Sequence, residues 1–151
     1  MKLLIVLPTR SRLDRCVKVL KSYIALSTHK ETRFVVSCDN DDLSMNQKTT
    51  IDTINSLPNT TIIFNENKMV KNGKVSEFTT KICAINSGVK GQDFDVCLLA
   101  SDDMYPELMG YDSIIIKDMI NFFPDTDGVL WYNDGYQGDK LNTLCILGKS
   151  Y

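Results

Sequence analysis

From end to end, short unbroken apolar runs alternate with stretches in which apolar residues return every three or four positions, and no internal repeat interrupts the pattern. That alternation predicts strands separated by helices, an α/β fold with a mostly parallel sheet covered by helices. Residues 2–7 (KLLIVL) form a continuous apolar run stopped by Pro8, which predicts a buried strand. Ser11, with Asp14 three residues on, resembles a capping box, and Leu13, Cys16, Val17, Leu20 and Ile24 then recur at helical spacing. Residues 33–38 (RFVVSC) predict a second strand, residues 46–57 a helix with Ile51, Ile54 and Leu57 inward, and residues 61–64 a third strand. The polar stretch 65–75 contains Gly73 and reads as a loop. Ser76 is placed to cap a helix that buries Phe78, Ile82 and Ile85 and ends near Gly88. A strand over 95–100 (DVCLLA) follows. Asp112 then caps a helix with Ile115, Ile116, Met119 and Ile120 inward, and two more strands are expected over 129–132 and 144–147.

Composition narrows the class. With 151 residues, net charge −2, 43% hydrophobic and 24% charged residues, the chain reads as one globular domain, residues 1–151, rather than a disordered, collagen-like or coiled-coil protein. Cys16, Cys38, Cys83, Cys97 and Cys145 are odd in number, widely spaced and form no C-x-x-C pair, which points to a reducing, cytoplasmic compartment. The apolar run 3–7 is too short for a signal-peptide core or a membrane span, and no later run does better. Near-balanced charge without basic blocks argues against a nucleic-acid or membrane-surface partner and for a small ligand.

In open α/β sheets ligands bind outside the carboxyl ends of the strands. Three predicted strand exits carry polar groups there. The first is Pro8-Thr9-Arg10-Ser11-Arg12, with Arg15 close behind. Cations at a helix N-terminus oppose the macrodipole, so these arginines either face an anion or, for Arg12 and Arg15, splay into solvent. The second exit, Cys38-Asp39-Asn40-Asp41-Asp42, fits recognition of a base N–H and ribose hydroxyls, or simply a turn. The third, Ser101-Asp102-Asp103, sets two acids after an apolar strand; a hard divalent cation bridging to a diphosphate suits it, as does a surface turn.

Taken in order with the helix Lys81-Ile82-Cys83-Ala84-Ile85-Asn86-Ser87-Gly88, these exits resemble the GT-A glycosyltransferases of the family-2 type. Such proteins have a first strand ending in P-T-R or a similar loop, an aspartate after the second strand, a K-x-x-A-x-N-x-G helix, and a strand ending in a D-x-D or related acidic motif. The resemblance covers nearly the whole chain and implies a Rossmann-like fold that binds a nucleotide-diphosphate sugar donor. Carried over, it implies that Pro8, Thr9 and Arg10 line the nucleotide pocket and that Asp39 reads the base, typically uracil, with Asp41 a further nucleotide contact. Lys81 sits near the donor or is a solvated lysine, Asn86 and Gly88 are structural, Asp102 contacts the ribose or sugar, and Asp103 binds Mn²⁺ or Mg²⁺. Ser101 replaces the first acid of the usual D-x-D, which leaves fewer charged metal ligands.

Inverting transfer also needs a carboxylate base aimed at the acceptor hydroxyl. In the proteins this chain resembles, that base comes well downstream of the metal motif, so the resemblance implies that the acceptor-side C-terminal part is absent and the acceptor unknown. The catalytic base is left unassigned. Asp134 and Asp139 are substitutes that also fit turns. Self-association is expected where that part would dock. A non-catalytic sugar-nucleotide-binding or assembly module is the rival from another class. A nucleotidyltransferase is disfavoured because the loop 8–12 has no glycine. His29, Trp131 and Tyr132 have structural readings, an exposed histidine and a sheet-face pair, although Trp131 and Tyr132 also suit stacking on a sugar.

Overall fold

In chain order the elements are β1 (Leu3–Pro8), α1 (Leu13–Leu26), β2 (Thr32–Asp39), α2 (Lys48–Asn55), β3 (Thr60–Asn65), β4 (Met69–Lys71), β5 (Lys74–Ser76), α3 (Lys81–Val89), β6 (Val96–Leu99), α4 (Tyr111–Phe122), β7 (Val129–Leu130) and β8 (Ile146–Gly148). The computed structural model describes residues 1–65, 69–71, 74–76, 81–133, 135, 137, 138, 140, 141 and 143–151. Six strands form one sheet in the order β3-β2-β1-β6-β8-β7. The first four are parallel, and β8 runs antiparallel to both its neighbours.

Every residue of β1 is buried, because helices cover both faces of the sheet at its centre. Leu3, Ile5 and Leu7 point to the larger core with Val19 and Leu20 of α1, Ile54 of α2 and Met119 of α4. Leu4 and Val6 point the other way, with Val35, Cys97 and the partly buried Val89 of α3. Cys16, Cys38, Cys97 and Cys145 carry free thiols. Burial pushes the thiols of Cys16 and Cys97 up to about 12, which makes them packing residues rather than nucleophiles.

Several local expectations need correction. No capping box starts α1: Arg12 is its N-cap without a side-chain cap bond, and Ser11 has a positive φ of 55°. Ser11 instead donates its backbone N–H and hydroxyl to Asp42. The stretch read as a loop contains an antiparallel hairpin, β4 with β5, pairing Met69 with Ser76 and Lys71 with Lys74. Ser76 therefore belongs to a strand and not to a helix cap; Gly73 and Phe78 lie outside the described residues. Strands of three residues are too short to display a period-two pattern.

In α3 the buried residues are Ala84 and Gly88, and Ile82 is exposed. A Cβ on Gly88 would lie 2.6 Å from Val6 Cγ1, so the helix rests on β1 through its smallest residues and its isoleucines fall to the sides. Gly88 lies inside the helix. The left-handed position after it is Gly91, with φ 74°. Ile120 of α4 is likewise exposed, while Ile115, Ile116 and Met119 are buried as expected.

Asp112 does not cap α4, which follows the left-handed Gly110. Its buried carboxylate instead collects the connection between α1 and β2. It accepts from the Ser27 hydroxyl, from the backbone N–H of Thr28 at 3.0 Å and His29 at 2.9 Å, and from the Thr32 hydroxyl at 2.8 Å. His29 is half-buried rather than exposed, with Nε2 2.8 Å from the Met1 carbonyl oxygen.

Asp112→Ala strands several buried donors, each costing about 1–3 kcal/mol, and should lower the unfolding free energy by about 3 kcal/mol or more, read from the urea midpoint at unchanged m. Burial pushes the Asp112 carboxyl up, but the donors from Ser27, Thr28, His29 and Thr32 together hold it below the usual value. A depressed folded pKa confers stability above the unfolded pKa, about 3.9, that disappears as pH falls through the folded value. The advantage of wild type over Asp112→Asn should therefore shrink between pH 6 and pH 3. An advantage that is constant over that range contradicts this account.

Candidate functional site

Because β2 and β3 lie on one side of β1 and β6 on the other, the order of the parallel strands reverses between β1 and β6, and the loops leaving these two strands diverge around a crevice. There lies an open cleft of about 240 Å³. Pro8, Thr9, Arg10 and Arg12 line it from the β1 exit, Asp39 from β2, Lys81 and Ala84 from α3, and Ser101 from the β6 exit. Five residues expected at a nucleotide site from sequence, Pro8, Thr9, Arg10, Asp39 and Lys81, are thus brought together.

Each is held by a local cause. Pro8 ends β1, and Thr9 keeps one further bond to the sheet, its N–H donating to the Ser37 carbonyl at 3.0 Å. The Thr9 hydroxyl then turns down to Asp102 Oδ2 at 3.1 Å. Asp39 is the last residue of β2, in register with Asn65 at the end of β3. The Asn65 amide donates to Asp39 Oδ1 at 3.0 Å, and Arg10 Nη1 donates to Asp39 Oδ2 at 2.6 Å. Arg10 also forks onto Asp41 at 2.8 and 2.9 Å. These bonds to Asp41 and Asp39 raise the Arg10 guanidinium and secure its charge.

The acidic cluster at the β2 exit thereby divides into three roles. Asp39 faces the cleft, exposed Asp41 anchors Arg10, and buried Asp42 closes the turn by accepting from Ser11, Ser44 and Met45. Asp102 lies beneath the cleft with 1% of its surface exposed. Its Oδ2 meets Arg12 Nε at 3.0 Å, and its Oδ1 has no hydrogen-bond partner. Asp103, two residues past the cleft-lining Ser101, is exposed and does not itself line the cleft. The Ser101 hydroxyl chiefly holds the Asp103 carboxyl below the usual value, against a small burial effect and with Arg15 and Lys81 assisting.

These oxygen donors suit a hard divalent ion. Among the described residues, however, no group of three or more His, Cys, Asp or Glu could hold a metal ion. Asp103 with Ser101 fits Mn²⁺ or Mg²⁺ only where a ligand's own oxygens complete the shell.

No protein-family model matches the chain, and no curated protein matches it. Among solved structures it is similar to the crystal structure of S. aureus TarS 1–349, TarS being a staphylococcal glycosyltransferase. The two share 19% identity over 80% of this chain and 32% of that one, with a TM-score of 0.54. The likeness is one of fold: the chain has a Rossmann-like α/β architecture and spans about a third of that structure's chain.

Sequence reasoning left Arg12 open between an anion and solvent, and it missed Asn65. Arg12 is half-exposed and ion-paired to Asp102; Asn65 could have been found as the polar terminus of the strand beside Asp39. Tyr132 donates to Asp118 at 2.7 Å, and neither it nor half-exposed Trp131 lines the cleft. Asp134 and Asp139 lie outside the described residues. Among the described residues no helix is long and apolar enough to cross a membrane.

The Arg10 fork, more than any other interaction, holds the Asp41 carboxyl below its ordinary value. In Arg10→Gln the Asp41 carboxyl should rise toward its ordinary value. Carbon-detected NMR titration checks this, and an unmoved midpoint would show that the fork does not form in solution.

Proposed function

We propose that the domain binds a nucleotide-diphosphate sugar and forms the donor-binding part of an inverting, metal-dependent glycosyltransferase. The observation that carries this reading is the polarity of the cleft at the reversal of strand order. Asp39, fixed by Asn65 and Arg10, offers an acceptor to a base N–H at one end, while Arg12 and Lys81 offer cations toward the other. From the β2 exit to the β6 exit is two interstrand spacings, roughly 9.5 Å.

In this reading Asp39 selects a base with an N–H donor, uracil above all. Arg10 keeps Asp39 oriented, and Thr9 and Pro8 shape the floor. Asp103 with Ser101 would hold Mn²⁺ or Mg²⁺ together with the donor's diphosphate. That ion supplies charge neutralisation of the departing diphosphate.

Uridine diphosphate should bind more tightly with Mn²⁺ than with EDTA, as measured by calorimetry. Asp103→Ala should abolish that metal dependence, whereas Asp39→Ala should weaken binding even in EDTA. Equal affinity with and without metal would remove Asp103 from the metal role; no binding of any nucleotide diphosphate would remove the function.

A non-catalytic binding module is the second reading, and one observation favours it. Among the described residues Asp39 is the only carboxylate lining the cleft, and it already accepts from Asn65 and Arg10. No described carboxylate of the cleft is placed to deprotonate an acceptor. General-base assistance contributes about 10²–10⁴-fold and acceptor positioning more, so the 151-residue chain should transfer little or no sugar while still binding donor. Robust transfer by the purified chain, lost on Asp134→Asn or Asp139→Asn, would overturn this and make that aspartate the base.

A further inference from the structure

Asp102 poses a problem of sign. It is an acid buried directly under a cleft that, in the reading above, receives a diphosphate. A carboxylate repels phosphate, so it serves such a ligand only through a cation set between them. Arg12 is that cation: its Nε meets Asp102 Oδ2 at 3.0 Å, and its side chain, 47% exposed, also lines the cleft.

The other cations of the cleft are differently placed. Arg10 has both terminal nitrogens committed to Asp39 and Asp41. Lys81 is exposed at the first position of α3, a flexible point charge with no buried partner among the described residues. Arg12 alone combines a buried anchor with unspent donors. Its ion pair uses Nε, and among the described residues Nη1 and Nη2 have no partner. An ion pair through Nε leaves the terminal N–H fork of the guanidinium available, the geometry that takes phosphate oxygens two at a time. Asp102 is itself fixed from a second side by the Thr9 hydroxyl. Its Oδ1, buried and unpartnered, leaves the carboxylate short of hydrogen bonds, an arrangement that costs stability and that packing alone does not explain.

We infer that Arg12 grips the diphosphate of the nucleotide donor and that Asp102 is the positioning residue that aims it. This rests on the donor-binding reading and adds to it a phosphate ligand that the sequence left undecided. Asp102 does not touch the donor: its contribution passes through Arg12, and the Thr9 hydroxyl shares the same carboxylate oxygen.

Binding of uridine diphosphate, uridine and inorganic pyrophosphate, in EDTA so that no metal contributes, tests the idea by calorimetry and NMR titration. Variants are Arg12→Ala, Arg12→Lys, Asp102→Asn and the double variant Arg12→Ala with Asp102→Asn, each checked for folding by its melting transition. Loss of charge-assisted phosphate bonds should weaken uridine diphosphate about tenfold or more in Arg12→Ala and leave uridine within about twofold. Arg12→Lys should recover only part of the loss. Asp102→Asn should weaken the diphosphate with uridine unchanged, and the double variant should bind no worse than Arg12→Ala alone, because Asp102 acts only through Arg12. Unchanged diphosphate affinity in Arg12→Ala overturns the inference, as do equal losses for uridine and its diphosphate. Additive losses in the double variant overturn the positioning role of Asp102. A wild-type chain that binds neither uridine diphosphate nor pyrophosphate, in EDTA or with Mn²⁺, sinks the donor-binding reading too, whereas tight binding indifferent to Arg12 sinks this inference alone.

Discussion

Everything at the site follows from β1 being hydrogen-bonded in parallel on both edges. Its register with β2 runs from Leu3 opposite Thr32 to Pro8 opposite Ser37, and its register with β6 from Leu3 opposite Val96 to Val6 opposite Leu99. Parallel pairing aligns strand ends of the same polarity, so the chain leaves β1, β2 and β6 at one edge of the sheet. A one-residue slip would invert the faces of Leu4 and Val6 against Leu3, Ile5 and Leu7, and both cores would be lost together. The register that saves the cores is the one that brings Thr9 over Asp102 and sets Asp39 beside Asn65. Site geometry is thus a by-product of apolar packing, and it needs no separate source of rigidity.

That dependence explains what the sequence disclosed. The central strands were legible because a strand buried on both faces must be apolar throughout, and Leu3 to Leu7 leave no other reading. The site's location was legible for the same reason: strands that are identifiable have identifiable ends, and Pro8, Asp39 and Asp102 lie at or just past them. What failed was detail that depends on neighbours distant in sequence. Asp112 has the form of a helix cap, yet its donors come from residues 27–32, some eighty positions earlier. Gly88 looks like a helix end, yet it is the point at which α3 meets Val6. In both cases local chemistry was read correctly as unusual and assigned to the wrong partner, because a side chain's partner is fixed by the fold and not by spacing.

The acids show the same lesson in charge. Asp39, Asp41 and Asp42 are neighbours in sequence, so their mutual repulsion requires compensation, from a ligand or from the turn itself. The fold removes most of that requirement. Asp42 is absorbed by a turn, where its burial is outweighed by bonds from Ser44, Ser11 and Met45. Asp41 is absorbed by Arg10, and Asp39 is shared between Arg10 and Asn65. A charge cluster read from sequence therefore overstates the charge presented at the surface of the folded chain.

The two ends of the cleft are consequently unequal, and the inequality bears on how a nucleotide would be recognised. At the Asp39 end both carboxylate oxygens are engaged and the arginine is neutralised, so a base arriving there meets a group already oriented and loses little entropy in ordering it. At the Arg12 end a buried acid and a half-exposed cation are joined by one edge only, leaving donors on the cation and an unpartnered oxygen on the acid. A preorganised acceptor discriminates among bases because a mismatched edge leaves buried groups unpaired. An incompletely paired cation discriminates poorly, but it gains most when an anion arrives, since the anion completes its hydrogen bonds in a partly desolvated setting. For a nucleotide bound as proposed, hydrogen-bond accounting divides the labour: the end whose groups are already paired within the chain would choose, and the end left unsaturated would hold.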